Sequence, residues 1–214
     1  MQAGPLAWLE GFASEHAWAF APWVYLGSYG LSALELVAVL LALGCVVFNV
    51  LENSWGWPLA IVSSLLYGVF FAHHGLFGDA SVQVYFAVLS LWAWWQWLFG
   101  KRDSGLLIRP AFASPAVRIG SVLAWLALWP AMAWVLMHYT PSEWPWFDAA
   151  LTAGSVIGQI LLGRKLMENW LIWMAVNIGS VILFGIKGLW LTCGLYGVFL
   201  VLAVLGWKRW RASV

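Results

Sequence analysis

Charge is what this sequence has least of. Only 9% of its 214 residues are Asp, Glu, Lys or Arg, against about 25% in a soluble domain. No Lys or Arg occurs before Lys101. There is no basic stripe of the kind that tracks a phosphate backbone, so no nucleic-acid partner is expected. Residues 1–20 lack the positive n-region of a cleavable signal peptide, and none is expected there. Cysteine is also scarce: Cys45 and Cys193 both lie in apolar runs. Two such residues supply neither a disulfide framework nor metal-ligand spacing. They read as small buried hydrophobes, and no metal and no cofactor is expected.

Apolar residues are abundant. The chain is 64% hydrophobic and holds 19 Trp. In water this composition would leave large apolar patches; in a bilayer it is ordinary. A crossing needs roughly 20 apolar residues. Seven stretches qualify, at about Leu34–Leu51, Trp57–Phe71, Ala80–Phe99, Val117–Met137, Ala149–Leu162, Trp170–Ile186 and Leu189–Trp207. The second and fifth are short and should extend into their flanks. Strands are not expected, because the runs are too long and few alternate with period two. The expectation is an all-α integral membrane protein with seven transmembrane helices. Residues 14–30, interrupted by Pro22, read as an interfacial helix in preference to an eighth span.

Nine of the ten Lys and Arg residues fall in three clusters: Lys101 to Arg118, Arg164–Lys165, and Lys208 to Arg211. Seven spans put all three clusters on one side and only Lys187 on the other. Basic loops stay cytoplasmic. The chain is therefore expected in a bacterial inner membrane, with its N-terminus outside and its C-terminus in the cytoplasm.

The chain resembles itself. Leu51-Glu52-Asn53-Ser54-Trp55-Gly56-Trp57 returns as Met167-Glu168-Asn169-Trp170-Leu171-Ile172-Trp173. At a separation of 113, Gly75-Leu76-Phe77 returns as Gly188-Leu189-Trp190, and Trp94 and Trp97 return as Trp207 and Trp210. Three spans belong to each copy and the fourth lies between them. That extra helix restores the orientation of the second copy, giving parallel repeats about an axis along the membrane normal. The expected organisation is an N-terminal interfacial segment at 1–30 and a first three-helix bundle at 31–100. A basic loop with a linker transmembrane helix follows at 101–145, then a second bundle and tail at 146–214.

These residues resemble the PnuC family of nicotinamide riboside transporters, which is related to the SWEET sugar carriers. The resemblance rests on Asn53-x-Trp55-x-Trp57-Pro58, Asp79-x3-Gln83-x2-Phe86, Trp94-Trp95-x-Trp97, Asn169-Trp170-x2-Trp173-x2-Val176-Asn177 and Leu195-Tyr196-x2-Phe199. Ala93 departs from it, standing where Gly is expected before the double Trp. The resemblance implies a SWEET-like three-plus-one-plus-three fold and transport of nicotinamide riboside, the vitamin B3 form from which NAD is salvaged. It also implies a kinase that traps the product, and a homo-oligomer, a trimer as in related carriers. Relatives carry other vitamins such as thiamine, so thiamine, or another vitamin, nucleoside or sugar, stays open as substrate.

Polar groups inside spans are costly and need a reason. Trp173, Asn177 and Ser180 share one face of the sixth span. Gln83, Ser90 and Trp94 share one face of the third, with Trp97. Tyr67 and Ser64 share a face of the second, and Gln159 lies in the fifth. Trp rings suit a pyridinium by stacking and cation–π attraction. Carboxamides match an amide and ribose hydroxyls as donors and acceptors. The candidate substrate-binding residues are Trp173, Asn177, Gln83, Trp94, Ser90, Tyr67 and Gln159. Each also has a plainer reading as a bond between helices. Trp57, Trp207 and Trp210 sit at span ends, where interface anchoring is expected. His73, His74 and His138 also sit at ends, as interfacial residues. No acid lies mid-span, which favours facilitated diffusion over proton coupling. An intramembrane enzyme would need a nucleophile with a base at depth. Ser63, Ser64, Ser90 and Ser180 have no deep His, so no catalytic residue is expected.

Overall fold

The computed structural model describes residues 7–26, 29–74, 77–101, 105–140 and 143–214. Its elements are α1 (Ala7–Glu15), α2 (Ala17–Phe20), β1 (Pro22–Leu26), β2 (Tyr29–Ser32), α3 (Ala33–Val50), α4 (Gly56–His73), α5 (Phe77–Phe99), α6 (Pro115–Tyr139), α7 (Pro145–Gly163), α8 (Glu168–Ile186) and α9 (Trp190–Arg211). Each of the seven expected stretches is one helix of 18 to 25 residues. The second and fifth gain residues at their ends, as expected. Among the described residues, six helices are long and apolar enough to cross a membrane. α5 has the length, at 23 residues. It is not among the six because two Gln and four Trp dilute its apolar run.

The stretch 14–30 is not a single helix. Within its described residues it passes from α1 through the one-turn α2 into an antiparallel β1–β2 hairpin. Pro22 cannot donate a helical hydrogen bond, and the strand starts there, with an irregularity between Pro22 and Val24. The expectation of no strands is corrected at this hairpin. Gly75, Leu76 and Arg102 lie outside the described residues, as does the side chain of Asp79.

The chain forms two compact units, residues 1–45 with 55–91, and residues 46–54 with 92–214. In the first, Ser32 and Glu35 build a reciprocal capping box at the start of α3. The Ser32 backbone N–H donates to Glu35 Oε2 at 3.0 Å, and the Glu35 N–H donates back to Ser32 Oγ at 3.2 Å. Two otherwise unmatched amide donors are satisfied in this way. Ser63 of α4 donates to the Ala38 carbonyl of α3 at 2.8 Å.

In the second unit, α6 packs on α7, α7 on α8, and α8 on α9. Two indoles pin α6 to α7: Trp125 Nε1 donates to the Ala150 carbonyl at 3.1 Å and Trp129 Nε1 to that of Trp146 at 2.7 Å. The loop before α6 is tied down by Glu168, which accepts from the Ala113 N–H at 2.9 Å and pairs with Arg118 at 2.8 Å.

The C-terminal ends of α3, α5, α7 and α9 meet in this unit as a reciprocal arrangement. Trp97 Nε1 donates to the Leu162 carbonyl at 3.2 Å, and Trp210 Nε1 donates to the Asn49 carbonyl at 3.1 Å. Positions 97 and 210, and 49 and 162, stand 113 apart. α3 and α7 also end identically. The Asn53 N–H reaches the Phe48 carbonyl and the Leu166 N–H that of Leu161, while Glu52 and Lys165 take φ of 59° and 53°. Both ends are Schellman caps. The shared spacing of 113 makes Trp57 the counterpart of Trp170 in the sequence. The expected match of Glu52-Asn53 to Glu168-Asn169 is therefore out of register by three residues.

Three expectations for tryptophans and lysine change here. Trp57 and Trp210 are 0% and 1% exposed, so they are packed inside the protein and do not anchor at a lipid interface. Trp210 lies edge-on to Trp170 at 5.2 Å. Lys165, expected in a solvated cluster, is 7% exposed. Ala93 is fully buried, and its methyl is accommodated where glycine was expected.

Candidate substrate site

The candidate residues divide between the units. Tyr67, Gln83 and Ser90 belong to the first, and Trp94, Gln159, Trp173 and Asn177 to the second. In the first unit, Gln83 is half-buried, and its Cβ stands 3.6 Å from where a Cβ on Gly68 of α4 would be. Tyr67 stacks on Phe71 at 5.7 Å. Ser90 is 1% exposed.

In the second unit the α7–α8 seam is built on small residues. A Cβ on Gly154 would lie 2.8 Å from Val176 Cγ2, and one on Gly158 would lie 3.2 Å from Trp173 Cε2. Spacing of four puts both glycines on one face, the small-residue pattern that lets membrane helices approach closely. Gly158 thus leaves room for the Trp173 indole close to the α7 backbone. The ring is half-buried, and its Nε1 is buried with no hydrogen-bond partner.

Asn177 sits one turn on from Trp173 and is 4% exposed. Its carboxamide is not among the fully buried polar groups without a partner, whereas Trp173 Nε1 is. Such an unsatisfied buried donor costs roughly 1–3 kcal/mol. Ser180, 3% exposed, continues the same face, and Gln159, 9% exposed, follows Gly158 on α7. Trp94 is half-buried and makes no hydrogen bond among the described residues. The structure therefore sets Trp173 against Gly158 at the α7–α8 seam, with Asn177 and Ser180 further along α8 at spacings of four and three. Chemically, that stretch of α8 offers an indole ring, an unpartnered indole donor and a carboxamide.

Charged groups stay at helix ends. Lys187 and Asp148 approach to 3.8 Å at the far end of α8 and α7. Among the described residues no group of three or more His, Cys, Asp or Glu could hold a metal. Sequence reasoning missed Lys165 and Asn169. Asn169 is fully buried and donates to the Leu166 carbonyl at 2.6 Å. The signal for Lys165 was available: it carries the opposite charge to Glu52 at the repeat spacing.

Long apolar helices with small-residue seams define a multi-pass membrane protein. A family model described as nicotinamide mononucleotide transporter matches residues 32–212, and the chain belongs to that family. The family is one of transporters, which accords with the expectation that the chain is not an enzyme. The chain is 25% identical to the nicotinamide riboside transporter PnuC of Escherichia coli over 211 residues, covering 87% of this chain and 88% of the relative. It is 27% identical to the riboflavin/roseoflavin transporter RibM of Streptomyces davaonensis over 181 residues, covering 82% and 83%. A crystal structure of the vitamin B3 transporter PnuC superposes with a TM-score of 0.67 at 17% identity. The match covers 97% of this chain and 87% of that one, and it shows the same fold.

Proposed function

We propose that this chain carries nicotinamide riboside across a bacterial inner membrane by facilitated diffusion with alternating access. The observation that carries this reading is the Trp173 indole, whose buried Nε1 has no hydrogen-bond partner, with the Asn177 side chain one turn on along the same helix. A ligand with a cationic aromatic ring and hydrogen-bonding groups suits both. The ring gains roughly 0.5–2 kcal/mol of cation–π attraction, and the indole N–H gains the acceptor it lacks.

The riboside fits better than the mononucleotide. A phosphate is best held by Arg or Lys, and the lysines nearest this seam, Lys165 and Lys187, stand at helix ends facing acids. A vitamin with a different ring is the second reading, motivated by the riboflavin carrier among the relatives. Thiamine belongs to that class too.

In this reading α5 is the seventh span, and the organisation is two parallel three-helix repeats about a linker helix, α6. The reciprocal Trp97 and Trp210 bonds support it, because they relate the same ends of α3 with α7 and of α5 with α9. The basic end faces the cytoplasm. Trp173, Asn177, Gln159, Trp94, Gln83, Ser90 and Tyr67 contribute to the substrate path, and assembly as a homo-oligomer accompanies the fold. A binding panel on purified protein tests the substrate, using nicotinamide riboside, nicotinamide, the mononucleotide, thiamine and riboflavin. Selective binding of the riboside is expected. Binding of riboflavin or thiamine in its place would move the assignment to the second reading.

A further inference from the structure

Helix C-caps in the left-handed region are usually glycine, since a Cβ there is strained. α8 follows the rule with Gly188 at φ 70°, but α3 and α7 carry Glu52 and Lys165 at the equivalent position, φ 59° and 53°. The two residues are equivalent in the repeat, and their side chains meet: Lys165 Nζ lies 2.8 Å from Glu52 Oε1. The lysine side chain is 9% exposed and the glutamate side chain 31%. Lys165 Nζ also lies 4.5 Å from the centroid of the Trp97 ring. That same indole donates to Leu162, its repeat mate Trp210 donates to Asn49, and the two rings stand 5.9 Å apart. Every contact in this cluster joins an end from one repeat to an end from the other.

We infer that the Glu52–Lys165 pair is the gate of the transport path at the basic end, a lock that opens once per cycle. The inference rests on the alternating-access reading above. Two strained caps serve no need of the helices themselves, since glycine would end each more cheaply. They do aim two opposite charges at each other across the join between repeats. An ion pair on such a join is a bistable contact: made, it holds the four helix ends together; broken, it leaves them free to part. Trp97 biases the pair, because a ring face attracts the lysine and not the carboxylate. The repeat makes the assignment testable by exchange. Lysine at position 52 would fall beside Trp210, the mate of Trp97, which lines the same surface cavity as Glu52.

The test uses full-length protein in nanodiscs with Cys45 and Cys193 replaced by alanine and Leu162→Cys as reporter. Leu162 is 5% exposed and precedes Lys165 by one turn. An impermeant maleimide should label the reporter slowly when the pair is intact. Glu52→Gln or Lys165→Gln should raise the rate about ten-fold or more, because the closed population falls. The exchange variant, Glu52→Lys with Lys165→Glu, should return to the slow rate. Riboside binding, measured in parallel, separates the two levels of the argument. A parent protein that binds no riboside refutes the substrate reading and leaves the labelling result to judge the lock. Should neutralisation abolish folding, Glu52→Asp takes its place, since it keeps the charge but withdraws it by one methylene. Parent-like labelling in the single variants, or fast labelling in the exchange variant, overturns the gate.

Discussion

Asn177 allows a test that separates stability from binding. The residue is 4% exposed, and its carboxamide is not among the fully buried polar groups left without a partner. Asn177→Leu replaces it with an apolar group of similar volume. Without substrate, the variant gives up no hydrogen bond within the protein. It should therefore melt close to the parent temperature. With substrate, it forfeits the hydrogen bonds that the amide supplies in a partly desolvated site, about 1–3 kcal/mol. Affinity should fall by about 5- to 150-fold. Thermal melting in detergent with and without nicotinamide riboside, followed by calorimetric titration, reads both quantities. A carboxamide acting as a bond between helices would behave differently: its removal would destabilise the apo protein by about 0.6 kcal/mol and leave affinity alone. That pair of results would refute the site at α8.

Gly158→Val should displace the Trp173 ring, because a Cβ at that position already lies 3.2 Å from it; riboside affinity should fall by an order of magnitude or more, and parent-like affinity would detach Trp173 from the site. Trp210→Ala and Trp97→Ala should each cost about 3–5 kcal/mol of stability, as buried aromatic truncations do, whereas Trp95→Ala, at a position 57% exposed, should cost little; denaturation in detergent ranks the three. A tag after Val214 should resist protease in intact cells, and cleavage from outside would reverse the proposed orientation. Proteoliposomes with the membrane potential clamped should equilibrate the riboside without concentrating it, and accumulation driven by a proton or sodium gradient would end the facilitator reading. The clamp matters because a cationic solute responds by about 2.3 kcal/mol per 100 mV.

The helices were legible in the sequence because each is an apolar run of bilayer length, a signal that needs no partner to be read. α5 shows the limit: its Trp and Gln residues keep the helix and dilute the apolar signal. The N-terminal hairpin was missed because the aromatic residues 18–25 suit an interfacial helix, and only the break at Pro22 argued against one. Trp57 and Trp210 were misplaced for a related reason. A tryptophan at a span end satisfies an interface rule whether it faces lipid or protein, and only packing distinguishes the two.

The polar faces of α5 and α8 could be written down from spacing alone, since residues three and four apart share a side of a helix. Composition and charge placement by themselves determined the class of the protein and which helix ends carry the basic clusters. That the Trp173 indole N–H is left without a partner, which glycine receives its ring, and that Glu52 faces Lys165 were decided only by the tertiary structure. Each is a relation between residues far apart in the chain, fixed by how the helices approach one another, and a linear pattern does not specify that approach. The repeat illustrates the boundary well: its existence was visible in the sequence, but its register across the first helix-to-helix turn was settled by two left-handed caps and the hydrogen bonds that close them.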